Sequence, residues 1–191
     1  MTKGVGGNVK NLVIAKRYAK ALFNLAVEGG WIGQYGREIQ DFVHLLNENP
    51  QLADAVQNPL YPQATRKGVY DAVADKVGVS PIVRSFMNLL IEKKRVQHLG
   101  EIVEYYQKLV DENANIARAQ LRAASPLDEE AVQAISETLE KMTGKKVVVE
   151  FQEDPALIGG VVAQIGDLVL DGSVRRQLLN FKESLKRGAL V

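Results

Sequence analysis

Histidine and carboxylate side chains are the first candidates for chemistry, and their spacing here does not favour a metal centre. His44 and His98 are the only histidines, and neither fits a ligand pattern such as His-Glu-x-x-His. Isolated histidines of this kind are typical of a helix end or of the surface. Asp154, Asp167 and Asp171 follow no EF-hand spacing, and each has a role in a turn. We therefore expect no metal and no cofactor.

Nucleophile and phosphate chemistry are equally unsupported. Gly144-Lys145-Lys146 resembles part of a phosphate-binding loop, but Lys146 stands where Ser or Thr is required and no glycine lies five positions before Gly144. Ser173 has no histidine near it in sequence, so we predict a helix cap and not a nucleophile. Arg175-Arg176 opens a helix, where cations oppose the macrodipole. We expect a carboxylate partner for this pair, within the same domain or on another chain.

The charge balance and the apolar runs exclude further classes of protein. The formal net charge is +1, with 14 Lys/Arg and 12 Asp/Glu through Asn113 and 10 and 11 after it. Neither half has the basic field of a nucleic-acid binder. No apolar run approaches the roughly 20 residues that span a bilayer, so any membrane association is expected to come through partners. The chain has no cysteine, which excludes disulfides.

Turn signals are densest in the stretch DPALIGGVVAQIGDLVLDGSVRRQL near the C-terminus. Asp154-Pro155 opens a turn, because proline biases the preceding residue away from helix. Gly159-Gly160 suits a bulge or a close backbone approach. Two short β-prone runs flank Gly166-Asp167, as in a hairpin with a two-residue turn. The second run ends at Asp171-Gly172, and Ser173 begins the last helix.

The first 113 residues have helical periodicity interrupted by glycine and proline. Residues 1–8 are predicted to be a mobile tail. Short connections between six helical segments predict an all-α bundle. The six predicted helices run over about 11–28, 31–47, 51–56, 62–77, 81–91 and 98–113.

Helices one and five are more apolar than a single packing face requires. In helix one, Ala15, Ala19 and Leu22 lie on one stripe, and further apolar residues such as Tyr18 widen it around most of the helix. Two interpretations are open at this point. The helix is central to the core, or it packs one face in the core and offers another face to a partner.

The periodicity changes near residue 113. Residues 116–123 alternate with period two and predict a half-buried strand. A helix is predicted from Ser125-Pro126 to Gly144, followed by a second alternating strand over 147–151. With the hairpin and the last helix, the order β-α-β-β-β-α predicts a small α+β domain. The predicted fold is therefore α+β and mainly α, with a six-helix bundle at 1–112 and an α+β domain at 113–191.

These patterns resemble one known family at both ends of the chain. The C-terminal stretch is similar to the signature of the delta subunit of F-type ATP synthases, the family that includes the mitochondrial oligomycin-sensitivity conferral protein. A second match lies at Arg17-Tyr18-Ala19-Lys20-Ala21-Leu22-Phe23, so the resemblance covers nearly the whole chain. The C-terminal matches are Asp154, Pro155, Leu157 to Gly160, Ile165 to Asp167 and Asp171 to Val174.

The resemblance implies a non-catalytic stator connector. In the delta family, the helical domain binds the catalytic head and takes the N-terminal helix of an alpha subunit into a groove between its first and fifth helices. The smaller domain grips the C-terminal end of the peripheral-stalk b subunit, so that the head resists rotor torque during proton-driven ATP synthesis. The same resemblance implies one copy per complex, on the cytoplasmic side of a bacterial membrane that the chain contacts only through the complex.

Two sets of site residues follow from this resemblance. The predicted groove residues are Ala15, Tyr18, Ala19 and Leu22 against Val83 and Phe86. The predicted signature residues of the second domain are Asp154, Gly159, Gly160, Gly166, Asp171, Gly172 and Ser173.

Two rival functions stand against the connector. One is a small nucleotide-handling enzyme domain built around the glycine-rich hairpin, which the lack of an acid/base pair or phosphate loop in the sequence disfavours. The other is a nucleic-acid adaptor, which the charge balance disfavours.

Overall fold

A computed structural model describes the backbone of residues 5–188 and the side chains of residues 12–182. Over this range the chain is mainly helical, with a small four-stranded sheet, as the sequence predicted. The chain divides into two compact units, Met1–Val110 and Asp111–Val191, which we describe separately. The helices before the first strand are α1 (Val5–Gly29), α2 (Ile32–Glu48), α3 (Pro50–Gln57), α4 (Gln63–Val77), α5 (Pro81–Glu92) and α6 (Leu99–Asn113), with a 3-10 turn at Val96–His98.

In the first unit the helices begin and end within about one residue of the predicted bounds, except at the N-terminus. α1 begins at Val5, six residues before the predicted start. The predicted tail is therefore wrong for residues 5–8, which are helical, while residues 1–4 lie outside the described part of the chain. Gly78 ends α4 in the left-handed region at φ 75°, a conformation that costs glycine little.

The start of α5 is fixed by a cap and by a second helix. Ser80 Oγ accepts a hydrogen bond from Val83 N at 3.4 Å, and Pro81 occupies the first turn, where a proline costs no hydrogen bond. Glu38 in α2 accepts hydrogen bonds from both the backbone N and the Oγ of Ser80, at 3.0 and 2.7 Å. One carboxylate therefore holds the N-terminal end of α5 against α2.

Each of the helices α1 to α6 contributes buried side chains to the core of the first unit. Aromatic rings connect the elements: Phe23 in α1 packs edge-on against Tyr106 in α6 at 5.8 Å, and Phe42 in α2 packs against Tyr70 in α4 at 5.2 Å. Tyr106 also donates a hydrogen bond to the Ile32 carbonyl at 2.8 Å. Burial raises the pKa of Tyr106 to about 12, so this hydroxyl remains protonated and keeps donating at physiological pH.

The second unit contains a four-stranded sheet in the order β2-β1-β3-β4. Its elements are β1 (Ile116–Ala123), α7 (Glu129–Thr143), β2 (Lys146–Glu153), β3 (Val161–Ile165), β4 (Leu168–Asp171) and α8 (Val174–Gly188). β1 pairs in parallel with β2 through the α7 crossover and antiparallel with β3, which forms a hairpin with β4. Ala119, Leu121 and Ala123 alternate into the core, as the period-two pattern predicted.

The start of α7 differs from the prediction. The helix expected to open at Ser125-Pro126 begins instead at Glu129, and Asp128 is its cap, with Oδ1 accepting from Ala131 N at 2.7 Å. A carboxylate at this position caps better than the earlier serine, because it also interacts favourably with the helix dipole. Gly144 ends the helix at φ 67°, as predicted, and Lys146 already begins β2, so the Gly-Lys-Lys sequence connects a helix to a strand.

Candidate functional site

An apolar groove of about 730 Å³ runs along α1 and α5 in the first unit. Each helix contributes residues about one turn apart, so the groove follows both helices over several turns. Its lining residues are Arg17, Tyr18, Ala21, Leu22 and Leu25 from α1, and Ile82, Ser85, Phe86, Leu89 and Lys93 from α5 and the residue after it.

The floor of the groove is continuous with the core of the first unit. Leu22 is fully buried and Phe86 is 7% exposed, so both support the groove from below. Tyr18 is half-buried and packs edge-on against Phe86, with ring centroids 6.3 Å apart. Such aromatic pairs prefer an edge-to-face geometry. The ring pair therefore helps to hold the two walls at a fixed separation.

The walls of the groove carry large apolar side chains that remain in contact with solvent. Leu25 is 44% exposed, Ile82 is 37% exposed and Leu89 is 41% exposed. Single exposed apolar residues are ordinary on a protein surface, whereas several that line one concave surface indicate a binding site. A groove of this shape suits the apolar face of an amphipathic helix.

The predicted groove residues divide into two groups. Tyr18, Leu22 and Phe86 line this groove. Ala15, Ala19 and Val83 do not: the two alanines are 0% exposed and Val83 is 1% exposed, inside the core. The two alanines lie on the stripe through Ala15, Ala19 and Leu22, which faces the close-packed core of the unit.

Sequence reasoning missed Ala21, Leu25, Ile82 and Leu89 as groove residues, although their spacing carried a signal. Tyr18, Ala21 and Leu25 recur at intervals of three and four, which defines a second helical face beside the buried one. Ile82 and Leu89 are seven positions apart and share a face of α5 in the same way. The sequence shows the excess apolar surface of both helices but does not separate its buried and exposed stripes.

The charged residues at the groove have one sign. Arg17 and Lys93 are the charged members of its lining, and both are exposed. Lys93 Nζ lies 3.1 Å from Glu92 Oε1, and Lys67 Nζ lies 3.7 Å from the other oxygen of the same carboxylate. These cations lower the pKa of Glu92, chiefly through the hydrogen bond from Lys93. Arg17 makes no ion pair with any side chain in residues 12–182.

A backbone junction in the second unit uses the predicted glycines. Gly160 has φ 81°, and a Cβ placed on it would lie 2.4 Å from the Gly172 carbonyl oxygen and 2.9 Å from Ser173 Cα. Gly159 O accepts a hydrogen bond from Val174 N at 3.0 Å, and Gly172 N donates to Val161 O at 2.9 Å. These contacts fix where α8 leaves the sheet. The need for glycine at position 160 is thus both conformational and spatial.

The polar signature residues serve turns and a helix cap. Ser173 Oγ accepts from Arg176 N at 3.2 Å, which is the predicted cap of α8. Asp171 Oδ1 accepts from Ser173 N at 3.0 Å, and its hydrogen bonds from Ser173 lower the pKa of the Asp171 carboxyl. Asp154 Oδ1 accepts from Ala156 N at 3.0 Å in the predicted turn. Gly166 sits at the other end of the hairpin with φ 56°, in the two-residue turn.

Two further apolar surfaces belong to the second unit. A shallow concavity of about 370 Å³ lies between α7 and the hairpin. α8 begins beside it and exposes Leu178, Leu179 and Phe181, at 60%, 46% and 64%. The lining residues of the concavity are Ala134, Ile135, Thr138, Leu139, Met142, Val161, Ala163, Leu170 and Gly172.

The side chains considered for chemistry are dispersed in the structure. His44 is exposed on α2, whereas His98 is 5% exposed, with Nδ1 3.9 Å from Glu101 Oε2. Within the described residues, no group of three or more His, Asp or Glu side chains is placed to hold a metal ion. Nor is any described helix long and apolar enough to cross a membrane. Arg175 and Arg176 form no ion pair within 4 Å of a side chain of residues 12–182, but the charge of Arg176 contributes to the lowered pKa of the Asp171 carboxyl in the same unit.

Comparison with known proteins identifies the family. The family described as ATP synthase delta (OSCP) subunit matches residues 14–185, a range that includes the groove, the glycine junction and the start of α8. The chain belongs to the ATP synthase delta (OSCP) family. As a member of this family, the chain is a structural, non-catalytic subunit with a connecting role in the peripheral stalk of ATP synthase.

Bacterial relatives match over almost their whole length. The ATP synthase subunit delta of Syntrophobacter fumaroxidans is 67% identical over 182 residues, which are 95% of this chain and 100% of the relative. The ATP synthase subunit delta of Desulfosudis oleivorans is 48% identical over 183 residues, 96% of this chain and 100% of the relative. The resemblance found at both ends of the sequence is therefore confirmed.

Among solved structures, a chain of the Toxoplasma gondii mitochondrial ATP synthase hexamer has a similar fold. Its TM-score is 0.65 at 18% identity, covering 90% of this chain and 96% of that chain. At this identity the likeness concerns the fold alone. A similar fold therefore occurs in a mitochondrial assembly, whereas the relatives named above are bacterial.

Proposed function

We propose that the first unit of this delta-family subunit binds the N-terminal helix of the ATP synthase alpha subunit in the groove between α1 and α5. The observation that carries this proposal is the groove itself: Leu25, Ile82 and Leu89 are exposed around a floor of buried Leu22 and Phe86. An amphipathic helix binds such a groove by burying side chains at i, i+3, i+4 and i+7. Burial of apolar area contributes roughly 25 cal/mol per Å² before the costs of association.

The second unit is proposed to bind the C-terminal end of the peripheral-stalk b subunit. Two observations support this assignment. Leu178 and Phe181 on α8 are exposed apolar side chains in a helix whose start is fixed by the glycine junction. The apolar concavity between α7 and the hairpin lies in the same unit. A fixed helix loses less conformational entropy on binding than a mobile one, which favours affinity.

The two contacts act together in this proposal. The bundle, residues 1–112, binds the catalytic head, and the α+β domain, residues 113–191, binds the stalk. A chain that holds both partners converts the second binding event into an intramolecular one, so two modest contacts can produce a durable connection. One copy per complex, on the cytoplasmic side of a bacterial membrane, completes the proposal.

The groove assignment is tested by placing a carboxylate in its wall. Leu25→Asp introduces a charge that would be buried without a partner once a helix is bound, which costs roughly several kcal/mol. We expect at least a hundredfold loss of affinity for a peptide corresponding to the alpha subunit's N-terminal helix, measured by titration calorimetry. The matched control is Val13→Asp, since Val13 is an exposed apolar residue on α1 outside the groove.

Three results of the titration would contradict different parts of the proposal. Unchanged affinity in a folded Leu25→Asp variant would remove the groove as the binding site. An equal loss in Val13→Asp would place the contact elsewhere on α1. A parent chain with no affinity for the peptide would remove the proposed partner.

A further inference from the structure

We propose that the α1–α5 groove selects a helix with acidic flanks, and that Arg17 is its main specificity-determining residue, with Lys93 second. This inference rests on the proposed helix-in-groove function and specifies the chemistry of the occupant. At the rim of the groove, the charged lining residues are both cations. An occupant that buries apolar side chains between two cations gains from carboxylates beside its apolar stripe and loses from lysines there.

Arg17 is the stronger candidate because its guanidinium is accessible to a carboxylate on a bound helix. Its side chain is exposed and makes no ion pair with the described side chains, so a new carboxylate would not have to displace an existing partner. Its planar guanidinium can bind a carboxylate through two parallel hydrogen bonds. Half-burial beside a docked helix would also reduce the screening by solvent that weakens exposed pairs.

Lys93 is already engaged. Its Nζ lies 3.1 Å from Glu92 Oε1, while Lys67 lies 3.7 Å from Glu92 Oε2. The side chains of Lys93 and Glu92 are 55% and 43% exposed, and a pair so exposed contributes little to stability. A carboxylate on the bound helix can therefore share Lys93, but its net gain is smaller than at Arg17. The two cations are thus expected to contribute unequally, in an order that mutation can check.

The same charges disfavour the chain's own exposed amphipathic helix as the occupant. α8 presents Leu178, Leu179 and Phe181, which suit a groove, but its sequence also carries Arg175, Arg176 and Lys182. Cations on the docked helix would face Arg17 and Lys93, and juxtaposed like charges oppose association. Neither α8 of the same chain nor α8 of a second copy is a good match. The occupant is thus expected to be an acidic amphipathic helix from a different chain.

The length of the groove sets the size of the occupant. The α5 side runs from Ile82 to Lys93, which at 1.5 Å per residue is roughly 17 Å, or about three helical turns. An isolated helix of that length is marginal in water, so the occupant gains most of its helical structure on binding.

The test compares three synthetic peptides against the full chain by fluorescence anisotropy. Two share one apolar stripe of Leu, Ile and Phe at helical spacing and differ only in flanking Glu or Lys residues, and the third is residues 174–188 of this chain. We expect the Glu-flanked peptide to bind about tenfold more tightly than the Lys-flanked one at low salt, about 50 mM. The difference should shrink to about twofold at about 500 mM salt, because salt screens exposed charges. Residues 174–188 should bind more weakly than the Glu-flanked peptide.

Charge reversal then assigns the effect to residues. Arg17→Glu should abolish or invert the preference between the two designed peptides, and Lys93→Glu should reduce it by a smaller factor. The control is Lys20→Glu, which makes the same charge change at an exposed position of α1 outside the groove and should leave the preference unchanged.

The contrary results would contradict either the charge preference or the groove function. Equal affinity for the two designed peptides, or a preference for the Lys-flanked one, would overturn the charge inference while leaving the groove in place. An effect of Lys20→Glu as large as that of Arg17→Glu would also overturn it, because the preference would then follow net charge and not the rim. Binding of none of the designed peptides would instead count against the helix-in-groove function itself.

Discussion

The two units reach a fixed structure by different means. Among the residues whose side chains are described, twenty buried hydrophobic residues form one cluster in the first unit, whereas the cluster of the second has five: Ala119, Leu121, Leu139, Val147 and Ala163. Side-chain burial therefore stabilises the first unit most. The second depends more on strand pairing and on backbone contacts such as the one between Gly160 and Gly172. The first unit combines this large core with an apolar groove, while in the second the apolar side chains of Leu178, Leu179 and Phe181 on α8 remain exposed.

The largest effect is expected where the large core is disrupted. Ala19 is 0% exposed, so Ala19→Asp would bury an unpaired carboxylate at a cost of roughly several kcal/mol, comparable to the whole stability of a domain. We expect the first unit to unfold while the second retains its own transition, which circular dichroism melting of the full chain would resolve. Ala21→Asp is the matched control, since Ala21 is an exposed groove residue close to it on the same helix.

Ala21→Asp should melt like the parent and bind the alpha-subunit helix less tightly. Simultaneous loss of both transitions in Ala19→Asp would contradict the independence of the two units. A folded Ala19→Asp variant would mean that this position is not in the core.

The second largest effect on stability is expected at Gly160, where close backbone packing supports the second unit. Gly160→Val combines a disfavoured φ of 81° with a Cβ 2.4 Å from a carbonyl oxygen that cannot move without disturbing the start of α8. We expect the free energy of unfolding of the second unit to fall by about 3 kcal/mol. The change would be measured as a lower urea midpoint for its transition.

Gly166→Ala supplies the comparison for that variant. Gly166 also has positive φ, at 56°, but no atom would lie within 4 Å of a Cβ added at that position. Strain alone should then cost about 1 kcal/mol. Equal losses at the two glycines would mean that the close approach to Gly172 contributes nothing.

The smallest effect on stability should come from α8. Phe181 is 64% exposed, so Phe181→Ser is expected to change the free energy of unfolding by no more than about 0.5 kcal/mol. The same substitution should weaken binding to the stalk b subunit at least tenfold, measured by pull-down and titration with the full chain. A large loss of stability would show that α8 belongs to the core after all, and unchanged binding would exclude Phe181 from the stalk contact.

Much of this architecture could be predicted from sequence because its signals are local. Gly144 and Ser173 specify helix ends through a φ value and a hydrogen bond within a few residues, and each occupies the predicted place. Alternation along residues 116–123 predicted a half-buried strand, and β1 has alternating burial. The start of α7 was misplaced because Asp128 competes with Ser125 for the same role and offers a charge as well.

The groove was harder to predict because it depends on which stripe of a helix faces its neighbours. Ala19 and Ala21 are both small residues on one helix, yet the first is buried and the second is exposed. Only the positions of α2, α5 and α6 decide between them, and no local signal in α1 encodes those positions. The partner of Glu38 shows the same limit, since its two hydrogen bonds reach Ser80 across 42 positions of sequence.

The contact between Tyr106 and the first two helices has a consequence for synthesis. Tyr106 packs on Phe23 and donates to the Ile32 carbonyl, 74 residues earlier in the chain. A ribosome that adds about 5–20 residues per second needs roughly 4–15 seconds to make the intervening segment. During that interval the apolar faces of α1 and α2 lack the helix that covers them. The nascent chain therefore exposes apolar surface of α1 and α2 for several seconds before α6 can cover it.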